Sequence, residues 1–263
     1  MSAIVPPRPD VGMHPADERP VEDRVVATWR WWEVVLATLL GFLAGSLAAT
    51  PVFLTLEAET GGPIGAGGLL AAAIVDVVLV ALVVLWLRSA HPGWWRVVGW
   101  PRRGARLREA SIGAGLGLLV QVGSAVVGFV VIRALETAKG ERVEMPDQVS
   151  SGIEGWGLVA LLLFAIVIAP TAEEFVFRGL LFRSIADRRG FWPGAIASSI
   201  PFGLTHAVPG RALGVWALMI TLVFVGVALA WIHWRRRNLL ANIAAHAVFN
   251  AIGVIVILSA VGA

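Results

Sequence analysis

Long apolar runs, separated by short polar segments rich in arginine, follow one another along most of the chain. A run of about 20 apolar residues is long enough to cross about 30 Å of hydrocarbon as an α-helix. The pattern therefore predicts an all-α, polytopic membrane bundle with about seven transmembrane helices. We expect the spans at approximately 32–56, 66–87, 111–135, 155–182, 192–208, 213–233 and 239–260.

The beginning of the chain differs from the rest. It combines mixed charges with several prolines and contains no apolar stretch of the kind that a signal peptide needs. We expect residues 1–30 to form a disordered cytoplasmic tail and residues 31–263 to form one transmembrane domain. The chain shows no convincing internal repeat and no second domain.

The composition supports membrane insertion and narrows the possible chemistry. Hydrophobic residues make up 57% of the chain and charged residues 15%, whereas a soluble domain has about a quarter charged residues. The absence of cysteine excludes disulfides, thiol nucleophiles and thiolate metal sites. Most basic residues lie in the tail and after the second, fourth and sixth spans, where they set topology and do not indicate nucleic-acid binding. This bias predicts a multi-pass protein of the cell (inner) membrane with its N-terminus in the cytoplasm.

The fourth span contains two adjacent carboxylates and an arginine, Glu173, Glu174 and Arg178, in otherwise apolar sequence. Ionisable residues inside a span are costly, and each one therefore suggests a functional role. Glu174 and Arg178 are four residues apart, so they share a helical face and can pair. Glu173 points about 100° away and needs a partner from another helix. That position suits a general base.

Two later spans supply histidines and amides. The fifth contains His206, and in the seventh Asn242, His246 and Asn250 recur every four residues as one polar stripe. Each histidine alone could be a packing residue that joins helices by hydrogen bonds. Together with Glu173 the set could hydrolyse a peptide: Glu173 and His206 would polarise a water, and His246 and Asn250 would bind the oxyanion. Alternatively, Glu173, His206 and His246 could bind zinc, although a His-Glu-x-x-His helix is absent.

These residues form three motifs that resemble those of the CPBP family, the CAAX-protease and bacteriocin-processing (Abi-like) membrane proteins. They stand here, in the family's order, as Glu173-Glu174-Phe-Val-Phe-Arg178, Phe202-Gly-Leu-Thr-His206 and His246-Ala-Val-Phe-Asn250. The resemblance covers about 155–260 and implies an intramembrane endopeptidase. It implies that Glu173 and His206 activate water, that His246 and Asn250 form the oxyanion hole, and that Glu174 and Arg178 support them. Members have been described as metalloproteases and as glutamate-dependent proteases; we expect no required metal, with zinc as the alternative.

The depths of the three motifs agree imperfectly. Counted from the arginines at the inner rim, Glu173 lies roughly 15 Å and His246 roughly 13 Å into the membrane at 1.5 Å per helical residue. His206, counted from Trp192 along a straight helix, lies roughly 21 Å in. For His206 to meet Glu173, the fifth segment must tilt, begin below the hydrocarbon, or break near Pro201 or Gly203, and we therefore expect a tilted or irregular segment.

Two other functions fit parts of the pattern. A non-catalytic scaffold or partner-binding protein would use the polar stripe to join helices. A small proton-coupled transporter would relay protons through Glu173, His206 and Asp76, but the chain lacks the paired interrupted helices typical of such proteins. Asp76 belongs to no motif, and we expect it to bond another helix or to line the cavity. For the protease, the expected partners are the lipid bilayer and a membrane-associated protein or peptide, lipidated or not.

Overall fold

The computed structural model describes residues 25–56, 65–146, 153–207 and 212–261. All regular structure in these ranges is helical, as predicted. Trp156–Arg189 is one continuous helix, and a short 3-10 turn, Arg103–Ala105, precedes α4. The helices are α1 Trp31–Leu56, α2 Ala66–Ala90, α3 Trp94–Val97, α4 Arg106–Lys139, α5 Trp156–Arg189, α6 Phe191–Leu204, α7 Ala212–Arg236 and α8 Leu239–Val261.

Six of these helices, α1, α2, α4, α5, α7 and α8, are long and apolar enough to cross a membrane. Together they make the chain a multi-pass membrane bundle. The remaining predicted span corresponds to α6, which has only 14 residues. At 1.5 Å per residue α6 rises about 21 Å, which is less than the hydrocarbon thickness. The fifth segment stays helical through Pro201 and ends at Leu204, earlier than the predicted 208.

Residues 1–24 of the predicted tail, which was expected at 1–30, lie outside the described residues. Residues 25–30, here called the N-terminal strap, pack against the bundle. Trp29 is completely buried and its indole N–H donates to the carbonyl of Leu180 in α5. The strap backbone also donates to the carboxylate of Asp187 at 2.9 Å. The strap therefore holds the C-terminal half of α5.

Glycines bring the backbones of α4 and α8 together. A Cβ atom added at Gly113 or Gly117 would overlap the backbone of Ala241 or Ala245, respectively. Without a hydrophobic driving force between helices in lipid, such close approach is a main source of association. It fixes the rotation of α8 and with it the direction in which His246, next to Ala245, points.

The turn between α5 and α6 explains the disagreement in predicted depths. Counting Glu173 from Arg183 assumed that Arg183 lies at the membrane rim. Arg183 is only 2% exposed and pairs with Asp187 at 3.0 Å, so it lies inside the protein. The chain turns at Gly190, where φ is 88°. Glu173 and His206 are separated from Gly190 by nearly the same number of residues along the two antiparallel helices. They therefore lie at a similar depth along the bundle.

Candidate active site

Pro170 in α5 leaves a backbone carbonyl of that helix free to accept a hydrogen bond from α8. Phe164–Ile168 forms a π-helical stretch, in which the N–H of Ala169 donates five residues back. The next carbonyl in this pattern, that of Ala165, would need an N–H from Pro170, which proline lacks. The side-chain amide of Asn250 donates to this carbonyl at 2.8 Å. Pro170 therefore leaves an acceptor free for the last motif residue, in addition to shaping the helix.

Glu174 begins a second π-helical stretch, Glu174–Phe182, which also contains Arg178; such stretches are frequent at functional sites. Both side chains are completely buried, and the predicted ion pair is present at 2.9 Å. The Glu174 carboxylate also accepts hydrogen bonds from Asn242 at 3.0 Å and from Nδ1 of His246 at 2.9 Å. Arg178 donates further to the carbonyl of Gly226 at 3.3 Å. These bonds partner the buried charges and tie α5 to α7 and α8.

The phenylalanine of the second motif has a physical role that its position alone did not reveal. Phe202 is completely buried, and the guanidinium of Arg178 lies 4.2 Å from its ring centroid. The Phe202 ring also contacts two imidazoles: its centroid lies 4.9 Å from the ring centroid of His206 and 5.6 Å from that of His246. Its carbonyl oxygen accepts a hydrogen bond from Nδ1 of His206 at 2.8 Å. Phe202 thus orients His206 and packs against both imidazoles.

The bonding of the two histidines fixes which nitrogen faces Glu173. The Nδ1 atoms of His206 and His246 bond to the Phe202 carbonyl and to the ion-paired Glu174 carboxylate, neither of which carries a hydrogen. Each Nδ1 must therefore carry the proton, and each Nε2 is an acceptor in the neutral imidazole. Nε2 of His206 lies 3.8 Å from one oxygen of Glu173, and Nε2 of His246 lies 3.6 Å from the other.

The accessible part of this cluster consists of acceptors. The side chains of Glu173 and His206 are 23% and 28% exposed, whereas that of His246 is 2% exposed. Oε2 of Glu173 is buried and makes no hydrogen bond within the described residues. The separations from the imidazoles are too long for direct hydrogen bonds, but a water beside the line between the atoms reaches both. Such a water would donate its hydrogens to Glu173 and Nε2 and keep its lone pairs for attack.

The structure thus brings Glu173, His206 and His246 together, with Glu174 and Arg178 directly behind them. Asn250 lies one turn after His246. One of its amide hydrogens bonds the Ala165 carbonyl of α5, and the other has no hydrogen-bond acceptor among the described residues. Sequence reasoning missed the bond between Asn242 and Glu174, although the four-residue stripe had placed Asn242 on the correct face.

Zinc is the cofactor alternative for these residues. The donor types, one carboxylate and two imidazoles, are ones that zinc takes. Among the described residues, however, no group of three or more His, Cys, Asp or Glu side chains is arranged to hold a metal ion. As they stand, Glu173, His206 and His246 do not form such a group.

Comparison with known proteins agrees with the motifs. Residues 155–252 match the family model described as type II CAAX prenyl endopeptidase Rce1-like. The matched segment runs from the start of α5 into α8 and contains all three motifs, which confirms the resemblance to the CPBP and CAAX proteases. No curated protein and no solved structure matches the chain.

Proposed function

We propose that this chain, whose residues 155–252 match the Rce1-like CAAX endopeptidase family model, hydrolyses peptide bonds of membrane-associated substrates, lipidated or not. The family match supports protease activity in general. The observation that supports catalysis here is Glu173, a carboxylate in the middle of an apolar helix that is faced by two imidazole Nε2 atoms. A carboxylate that served only to join helices would be hydrogen-bonded, whereas one oxygen of Glu173 has no such partner among the described residues.

In the proposed mechanism Glu173 takes one proton of a water that also donates a hydrogen bond to His206, as the water oxygen attacks the scissile carbonyl. The developing oxyanion accepts the remaining amide hydrogen of Asn250. His246, the other residue assigned to the oxyanion hole, is held in place by the hydrogen bond that its Nδ1 donates to Glu174 at 2.9 Å.

We place the protein in the cell (inner) membrane with its N-terminus in the cytoplasm. Support comes from arginines that lie at one end of the bundle. Arg236, at the end of α7, bonds Glu109, at the start of α4, at 2.6 Å. Arg237 bonds Asp187, near the end of α5, at 3.2 Å. Exposed arginines cluster at this same end, and the positive-inside rule assigns it to the cytoplasm.

A scaffold would explain only part of the site. The bonds of Glu174, Arg178 and Asn242 are those that a structural tie between helices would make. The accessible pair of Glu173 and His206 has no such explanation, because their separation of 3.8 Å is not a hydrogen bond. The two functions therefore make different predictions for Glu173.

The test uses purified full-length protein in proteoliposomes with membrane-anchored peptides, prenylated and unprenylated, with and without chelator. Glu173→Gln should lower cleavage by a factor of about 100 or more, because it removes the base. Its thermal stability should be unchanged or higher, because the lost charge includes a buried oxygen without a hydrogen bond. Glu141→Gln, at an exposed position, is the matched control and should retain full activity.

The outcomes separate the alternatives. Cleavage that persists in chelator supports water activated by glutamate without a metal, whereas loss of cleavage that zinc restores would favour the zinc alternative. Cleavage by Glu173→Gln at the wild-type rate would contradict the assigned role of Glu173. A folded wild type that cleaves none of the peptides would favour the scaffold.

A further inference from the structure

Asp76 is an acidic residue in the middle of α2, a helix that packs against α5. It shares a helical face with Leu69 and Leu79, since these positions are separated by seven and three residues. Leu69 packs with Leu161 of α5, and Leu79 packs in one cluster with Phe175 of α5. Asp76 therefore lies between these two contacts, on the side of α2 that faces the catalytic segment of α5.

The neighbour of Asp76 at this level is Glu173. Helix α2 contacts the Ala169–Glu173 part of α5, and Asp76 is half-buried. No hydrogen bond or ion pair to Asp76 is found within the described part of the chain. An ionised carboxylate inside an apolar span is costly unless a hydrogen-bond donor or a cation partners it. Asp76 can therefore hold a proton next to the proposed base.

Peptide hydrolysis needs such a proton for the leaving amine. The Nδ1 hydrogens of His206 and His246 are committed to their acceptors, and both Nε2 atoms are lone-pair sites. We propose that Asp76 is the general acid that protonates the leaving amine nitrogen. This assignment rests on the proposed endopeptidase function and adds a third carboxyl group to its site.

Glu173 and Asp76 together account for every proton that moves during the proposed peptide hydrolysis. Glu173 takes one proton of the water as the new C–O bond forms. When the C–N bond of the tetrahedral intermediate breaks, its electron pair stays on nitrogen, which takes the proton of Asp76. The proton held by Glu173 then returns to Asp76, so both groups regain their starting states. The net reaction consumes one water and gives a carboxylic acid and an amine.

The experiment compares full-length wild type, Asp76→Asn, Asp76→Glu and Glu173→Gln in proteoliposomes, with kcat and KM measured separately. Infrared spectra at neutral pH record the carbonyl band of protonated carboxyl groups. Asp76→Asn should lower kcat by a factor of about 100 or more with KM within about twofold, and should remove one band. Asp76→Glu, which keeps the acid, should recover at least about a tenth of the wild-type kcat. Gln121→Leu, a polar residue of α4, should leave cleavage and the band unchanged.

A kcat for Asp76→Asn within about threefold of wild type would overturn the assignment, as would infrared spectra in which wild type and Asp76→Asn show the same band. If Glu173→Gln is inactive while Asp76→Asn cleaves normally, the endopeptidase stands and the acid is another group. If wild type cleaves no substrate, both proposals fall. A band lost only in Asp76→Asn would then point to the proton-relay alternative.

Discussion

Arg178 is the residue whose replacement should cost the most stability without touching the accessible face of the site. Its guanidinium pairs with Glu174 at 2.9 Å, donates to the carbonyl of Gly226 at 3.3 Å and lies 4.2 Å from the ring centroid of Phe202. Arg178→Met removes all three interactions while keeping an unbranched apolar stem. The buried Glu174 carboxylate would then retain only neutral donors.

The expected loss of folding stability follows from the complete burial of Arg178 and Glu174. Removing one partner of a buried ion pair costs about 3–5 kcal/mol, because the other charge stays buried without compensation. We expect Arg178→Met to fall in this range. Adding Glu174→Gln removes the remaining charge, so the double variant should be more stable than the sum of the single losses predicts. The coupling energy of this cycle should be about 2–3 kcal/mol.

The assay is reversible unfolding in mixed micelles, driven by a denaturing detergent and followed by tryptophan fluorescence. The chain offers a matched control in the exposed pair of Arg133 and Glu136, which also meets at 3.0 Å. Arg133 is 65% exposed, so Arg133→Met should cost less than about 0.5 kcal/mol. The comparison separates burial from ion-pair geometry.

Two results would refute this reasoning. Additive effects in the cycle would mean that the pair does not couple and that Arg178 acts through packing alone. A loss for Arg178→Met as small as that for Arg133→Met would mean that the Glu174 charge has another compensating partner. Either result would also weaken the view that Arg178 holds Glu174, and through it His246, in place.

Two further stability predictions rest on matched pairs, both measured by the same unfolding assay. Gly117→Leu should lower the free energy of unfolding by about 1–3 kcal/mol, because the new leucine side chain would overlap the backbone of Ala245. Gly115 faces open space, so Gly115→Leu should change stability by less than about 0.5 kcal/mol. Trp29→Ala should cost about 3–5 kcal/mol because the indole is completely buried, whereas Trp31→Ala, at a side chain 50% exposed, should cost much less. Equal losses within either pair would contradict the corresponding contact.

Hydropathy predicted the six long helices well, but it did not predict where the short helix α6 ends. In hydrocarbon a spanning segment must satisfy its own backbone hydrogen bonds, so six long apolar runs became six long helices. The predicted segment 192–208 continues through Thr205 and His206 to Val208, and hydropathy alone did not show that α6 ends at Leu204. Likewise, Arg183 resembled a rim residue, but Asp187 pairs with it inside the bundle.

The sequence by itself determined the helical class and the residues that carry the chemistry. Charged and amide side chains within apolar runs are visible without a structure, since lipid makes them costly. Only the tertiary structure decided how they meet: which nitrogen of His206 and of His246 faces Glu173, and that Asn250 bonds a carbonyl left free by Pro170. These contacts depend on the rotation and relative depth of helices distant in sequence. Close backbone packing sets both, and no local pattern records it.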